Sequence, residues 1–425
     1  MAATTATPTQ DFEFVSVTRQ RVMGVIFLVA AVFIWWFFSR TTGGDATTTF
    51  VMVPGGTDMV LSDWKLPAAT TLNVLALVCA MLGGIQLSRA RGFGKRTNSV
   101  LALVSGLFIF GFLVWAAADK SLNLAGLLNT TLSKAVPITL GALSGVLCER
   151  AGVVNIAIEG MMLGGAMMGA LVGSVTGSLF IGLLAAVATG ALLAWVHAVL
   201  SIKYMTDQIV SGTVINIFAT GITSFISAKF MQSNQALNNP GIYAPFEIPV
   251  LSKIPFIGPI LFDNNIFVYA MFVFLILIHV GLFYTRWGLR VRSVGEHPKA
   301  ADTLGINVIR TRYMSVLLGG MMAGFAGGYF TLGSVGRFDE VMTAGRGFIG
   351  LAAMIFGNWT PFGSFGAGLL FGFADSLSSK IAILGIPIPS EFLLMAPYIA
   401  TMVVLAGVVG RGHMPAADGQ PYKKE

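Results

Sequence analysis

A succession of long apolar stretches, interrupted at two places by polar residues among glycines, decides what this chain can fold into. The stretches fall near 22–38, 71–88, 99–117, 124–148, 156–175, 178–201, 208–230, 266–285, 313–332, 361–379 and 392–410. Each is long enough to cross a hydrocarbon core of roughly 30 Å as a helix. Backbone in that core must satisfy its hydrogen bonds within the protein, so the fold class reads as all-α, a polytopic transmembrane helical bundle. A shorter stretch, 346–357, is too brief for a full crossing and is predicted to be re-entrant or half of a broken helix. Counting it gives about 10–12 spans. Composition agrees: 11% of residues are charged and 55% hydrophobic, with mean hydropathy +0.79, where a soluble domain carries about a quarter charged.

The net charge of +7 would draw attention to nucleic acid if the cations were not confined to short loops between apolar spans. Arg19, Arg21, Arg89, Arg91, Lys95, Arg96, Lys203, Arg286, Arg290, Arg292, Lys299, Arg310, Arg312, Arg411, Lys423 and Lys424 fall on one side of the predicted bundle. The opposite loops, Arg40 to Pro67, Asp119 to Leu124 and Gln232 to Asn265, carry few. That bias places both termini in the cytoplasm and makes the lipid bilayer, not nucleic acid, the expected partner. The first span follows Arg19-Gln-Arg21 without a small-residue cleavage site after it, so it reads as an uncleaved helix. Residues 1–120 read as additional transmembrane helices, 121–410 as the polar-studded core, and 411–425 as a disordered cytoplasmic tail.

Several chemistries have no residues to support them. Gly92-Phe-Gly-Lys95 lacks the upstream glycine and the Ser/Thr of a phosphate-binding loop. Cys79, Cys148 and the four histidines have no metal-ligand spacing. No catalytic residue, metal or cofactor is assigned.

The polar residues that interrupt the apolar pattern are the candidates for function. Cys148 to Met162 sets Glu149, Arg150, Asn155 and Glu159 amid glycines, and Gly345 to Pro361 repeats the texture with Asn358. A carboxylate at membrane depth is costly, so such residues face a cavity, a partner or the bundle interior. Interrupted helices in transporters expose helix ends and backbone polar groups toward a central site. Asn155, Glu159, Asn216 and Asn358 are therefore the candidate substrate path. Gly164, Gly165 and Gly169 read as close helix packing. Asp375 reads as a residue at the outer end of its span, open to solvent.

The basic loop between Arg286 and Arg312 is longer than a simple turn. Pro298 is placed to start a short helix there and Gly305 to stop it. From the residues alone it fits a coupling element and an ordinary positive-inside loop equally well.

Three segments carry a resemblance: Glu149 to Gly165, Val294 to Ile306, and Gly345 to Gly363. They resemble the permease subunits of bacterial ABC importers, in the family that handles branched-chain amino acids, ribose-type sugars and nucleosides. Asn-Ile-Ala-Ile-Glu-Gly-Met-Met and Phe-Gly-Asn-Trp-Thr-Pro are most similar to its simple-sugar and nucleoside branch. The resemblance covers roughly residues 124–410. It implies a multi-pass permease of the bacterial cytoplasmic membrane that translocates a nucleoside or simple sugar. The implied partners are an ABC ATPase subunit, where ATP is hydrolysed, a second, paralogous permease subunit, and an extracytoplasmic solute-binding protein or lipoprotein. Gly295, Glu296, Pro298, Ala300, Ala301 and Gly305 match the family's ATPase-contacting segment. The rival expectation is an ion-coupled secondary transporter of a small neutral solute, with Glu159 and Asp375 in a proton relay.

Overall fold

The computed structural model describes residues 17–55, 61–89, 91–385 and 413–424, together with single positions among 389–398. Apart from those positions, the expected span 392–410 lies outside the described residues, as does Arg411. Among the described residues, ten helices are long and apolar enough to cross a membrane. The chain is a multi-pass helical membrane protein. It divides near Leu124 into two compact units.

The first unit holds α1 (Val17–Phe33, whose last turns widen into Ile34–Ser39), α2 (Ala68–Ser88) and α3 (Thr97–Ala116). A small sheet caps one end: β1 (Thr47–Val51) pairs antiparallel with β2 (Trp64–Pro67) and parallel with β3 (Ser121–Asn123). Buried polar side chains tie the other end. Gln86 Nε2 donates to Gln20 Oε1 at 2.6 Å, Thr97 Oγ1 donates to the same oxygen, and Phe93 N–H donates to Gln86 Oε1 at 3.0 Å. Each group gains a partner that lipid could not supply.

The second unit is built on α4 (Leu124–Glu149), which is buried on nearly every side. Pro137 lies in its interior and has no N–H for the Ser133 carbonyl. The Tyr329 hydroxyl donates to that carbonyl instead, at 2.8 Å. Around α4 run α5 (Ile158–Thr176), α6 (Leu179–Ala198) and α7 (Gln208–Ile226). After the connection 232–265, which holds α8 (Ile257–Leu261), comes α9 (Ile266–Tyr284). The chain continues through α10 (Arg286–Glu296), α11 (Pro298–Thr303), α12 (Val308–Gly328, extended by wider turns to Val335), α13 (Arg346–Phe356) and α14 (Pro361–Leu384). α5, α6 and α12 pack closely through small residues. A Cβ on Gly165 would lie 2.8 Å from the Gly324 carbonyl, so the packing expected of Gly165 is present in the α5–α12 contact.

Candidate functional site

The first broken block is an eight-residue interruption, 150–157, between α4 and α5, opened by Gly152 at φ +80°. Its backbone does not form helix, so its polar groups need partners from elsewhere. Gln208 Oε1 accepts from Val154 N–H at 2.7 Å, and His197 Nε2 lies 2.9 Å from the Val154 carbonyl. A carbonyl only accepts, so Nε2 carries the His197 proton and Nδ1 accepts from Ser211 Oγ, 3.1 Å away. Asn216 Nδ2 donates to the Ile156 carbonyl at 2.9 Å while its Oδ1 accepts from Gly160 N–H at 2.8 Å. Asn155 is fully buried, with Oδ1 accepting from Ala157 N–H at 3.1 Å and Nδ2 turned to the Cys148 and Met161 sulfurs. Asn155 and Asn216 thus bracket the interruption, with both amide groups of each engaged by protein.

The second block supplies a half-length helix. α13 has 11 residues, about 16 Å at 1.5 Å per residue, half of a roughly 30 Å core. The chain reaches its start through the non-helical stretch 336–345, in which Val341, Ala344 and Gly345 have positive φ. The stretch 346–357, expected to be re-entrant or half of a broken helix, thus holds a helix too short for a full crossing.

Glu159 joins the two blocks. It lies in the first turn of α5, buried, and its Oε1 accepts from Thr343 Oγ1 at 2.6 Å and Gly345 N–H at 2.8 Å. Oε2 accepts from Gly347 N–H at 2.6 Å. A carboxylate there satisfies amides that α13 leaves without intrahelical acceptors and meets the positive end of its dipole. The other end of α13 is held by the residues that end α4. Arg150 Nε donates to the Trp359 carbonyl at 2.8 Å and Nη2 to the Asn358 carbonyl at 3.3 Å. Trp359 Nε1 donates to Glu149 Oε2 at 2.5 Å. Asn358 and Trp359 both have positive φ, and Asn358 Oδ1 accepts from His413 N–H at 2.7 Å. Residues 149–159 therefore clamp α13 at both ends.

The basic loop folds into two short helices. α11 starts at Pro298, is capped by His297 Nδ1 accepting from Ala300 N–H at 3.1 Å, and is followed by Gly305 at φ +80°. Ala301 is buried beside Val294, Val308 and Tyr422. Gly295 presses on the first break: a Cβ there would lie 2.3 Å from the Arg150 carbonyl. Glu296 is exposed except that Oε2 accepts from Ala416 N–H at 3.2 Å.

That last contact belongs to the C-terminal segment, which was expected to be disordered. Residues 413–424 instead pack on the second unit, with Pro415, Ala417, Asp418 and Tyr422 buried. Ala417 N–H donates to the Gly295 carbonyl at 2.9 Å, and Arg312 Nη1 donates to the Gln420 carbonyl at 2.8 Å. Most of these bonds use backbone atoms, which composition does not report. Arg312, grouped in the sequence with exposed topology-setting cations, is almost wholly buried beside Asp418. Burial pushes the Asp418 carboxyl up from 3.8 to about 6, against the opposing pull of a hydrogen bond with Glu149, the Gly419 amide and Arg312.

Asp375 also departs from expectation. It is not left to solvent but pairs with Lys134 Nζ at 2.8 Å and Arg346 Nη2 at 3.0 Å. Lys134, on α4, and Arg346, in the first turn of α13, were not singled out by sequence; cations placed within the apolar pattern were the available signal. Neither were His197 and Gln208, whose partners are backbone groups of the first break.

The bundle thus holds a half-helix clamped by an interrupted neighbour, with a pair of short helices against the interruption. Residues 127–409 match the branched-chain amino acid transport system / permease component family, and the chain belongs to it. It is 42% identical over 308 residues to the guanosine ABC transporter permease protein NupQ of Bacillus subtilis (strain 168), covering 69% of this chain and 95% of that one. To the nucleoside ABC transporter permease protein NupC of Lactococcus lactis subsp. cremoris (strain MG1363) it is 41% identical, over 68% of this chain and 93% of the relative. It is 32% identical to the putative glucose ABC transporter permease protein TsgC13 of Haloferax volcanii, over 71% of this chain and 98% of the relative. No solved structure matches.

Proposed function

We propose that this protein is the membrane subunit of an ATP-driven importer of nucleosides. The observation that carries the reading is the clamped α13 in a chain that spans nearly the whole of two relatives named as guanosine and nucleoside permeases. The glucose-named relative, at lower identity, supports a simple sugar as the second reading. In this reading both termini face the cytoplasm of a bacterial cell, following the Lys/Arg bias. α10 and α11, with Gly295, Glu296, Pro298, Ala300, Ala301 and Gly305, receive the ATPase subunit. A second permease completes the membrane pair, and an external solute-binding protein or lipoprotein delivers the solute.

The mechanism follows from what each group holds. Closure of the ATPase displaces α10 and α11, and Gly295 passes the displacement to the Arg150 carbonyl. Arg150 is bonded to the far end of α13, so α13 moves with the end of α4 while Glu159 holds its start. Asn155 and Asn216 keep the first interruption intact during the movement, and Asn358 sits at the pivot. The solute path runs beside the N-terminal end of α13, where the bundle is least regular. Uptake of labelled adenosine, uridine and ribose in cells with and without the chain tests the assignment. Loss of nucleoside uptake, competed by nucleosides and not by ribose, is expected. Loss of ribose uptake alone would transfer the protein to the sugar reading.

A further inference from the structure

A cavity of about 210 Å³ opens at the N-terminal end of α13, lined by Ala344 and Arg346 on one side and by Phe371, Ala374 and Asp375 of α14 on the other. Ile138 of α4, Ile349 of α13, Leu394 and Tyr398 complete its wall. The volume lies between the roughly 150 Å³ that encloses a benzene ring and the roughly 300 Å³ at which pockets for drug-sized ligands begin. It takes one five- or six-membered ring with its substituents. Polar chemistry is concentrated at a single edge. Asp375 carries one oxygen on Lys134 and the other on Arg346, and its side chain is 25% exposed. Lys134 Nζ also donates to Ser379 Oγ at 2.8 Å. One turn along α14 from Asp375, Phe371 meets Tyr398 edge-to-face with centroids 5.7 Å apart.

Resting on the nucleoside reading above, we propose that this cavity is the solute site of the path and that it holds the pentose ring by its vicinal hydroxyls. A carboxylate braced by two cations offers lone pairs to two adjacent O–H donors, and the guanidinium of Arg346 offers N–H groups back to the hydroxyl oxygens. The Phe371–Tyr398 edge covers the apolar face of the ring. Glu159 enters as a positioning residue: by binding the Gly345 and Gly347 amides, it fixes the turn that carries Arg346 into the cavity. The clamp of α13 and the solute site are thereby one device, and a shift of α13 alters the distance between Arg346 and Asp375.

The test compares uptake of labelled adenosine and its 2′,3′-dideoxy analogue by the complete transporter in cells, for the unaltered chain, Asp375→Asn and Ala374→Leu. The unaltered chain is expected to prefer adenosine by at least about tenfold, since a site built to bind hydroxyls rejects the analogue lacking them. Asp375→Asn raises KM for adenosine more than for the dideoxy analogue, and so narrows the preference. Ala374→Leu fills the cavity without touching the ion pairs and lowers uptake of both at unchanged membrane abundance. If Asp375→Asn fails to accumulate, Ala374→Leu decides. Equal uptake of both solutes by the unaltered chain, or undiminished uptake by Ala374→Leu, overturns the site. Absence of adenosine uptake by the unaltered chain, with ribose uptake intact, overturns the nucleoside reading instead.

Discussion

Glu159 Oε2 and the Gly347 amide meet at 2.6 Å, and through this bond the first turn of α5 caps a half-helix 188 residues further along the chain. The same carboxylate also holds Thr343 and Gly345. Three donors therefore converge on one buried group, two of them backbone amides at the start of α13.

Glu159→Ala leaves those three donors without acceptors at a buried position. Each lost bond to a charged acceptor costs about 1.5–3 kcal/mol, so the variant is expected to lose at least about 3 kcal/mol. Thermal aggregation of the detergent-solubilised protein checks this. A variant as stable as the parent would show that the α13 cap does not depend on Glu159.

Asn216→Leu separates a bracket from a solute ligand. Loss of both amide contacts strands the Ile156 carbonyl and the Gly160 amide, which predicts a stability loss of about 2–4 kcal/mol and reduced abundance. The ranking of competing solutes stays unchanged. An altered KM with normal thermal stability would instead place Asn216 on the solute.

Gly295→Val drives a side chain into the Arg150 carbonyl, 2.3 Å from where its Cβ would stand. Separately, Glu296→Lys and Ala301→Glu change the surface and the seat of α10 and α11. All three are expected to abolish uptake while the protein still reaches the membrane, measured by transport and by immunoblot of membranes. Normal uptake in the last two would remove the coupling role from these helices.

Docking of the C-terminal segment is expected to weaken as pH rises. Asp418 has its carboxyl raised to about 6 when docked, from 3.8, with Glu149 from α4 and Arg312 from α12 facing it. The docked state binds more protons between those values, so its stability is full below 3.8 and falls as pH rises through about 6. Hydrogen exchange of residues 413–424 checks it: protection is greater at pH 5 than at pH 7.5. Asp418→Asn levels the two.

The fold was largely legible because lipid leaves the backbone few solutions. Apolar runs mark the spans, and the short run at 346–357 shows by its length that it makes no full crossing. Pro298 and Gly305 likewise mark the start of α11 and the turn after it. The site was legible only as a set of residues out of place. Asn155 and Glu159 stood out as polar groups in an apolar block, but their partners lie on other helices, and sequence spacing does not report which amide meets which carboxylate. His197 and Gln208 were passed over because they serve backbone atoms of Val154. Residues 413–424 read as disordered because their buried apolar side chains, Pro415, Ala417 and Tyr422, act together with backbone bonds to Gly295, Glu296 and Arg312. Asp375 read as solvated because both its partners, Lys134 and Arg346, are distant in sequence.

The most direct measurement is uptake of labelled adenosine in cells carrying the chain, cells lacking it and cells whose ATPase subunit is inactivated, each with and without an uncoupler. The account predicts uptake that requires both the chain and ATP hydrolysis, and that persists for as long as ATP lasts when the ion gradient is collapsed. Uptake that survives loss of the ATPase but disappears with the uncoupler would contradict it, and would assign Glu159 and Asp375 to a proton-coupled path.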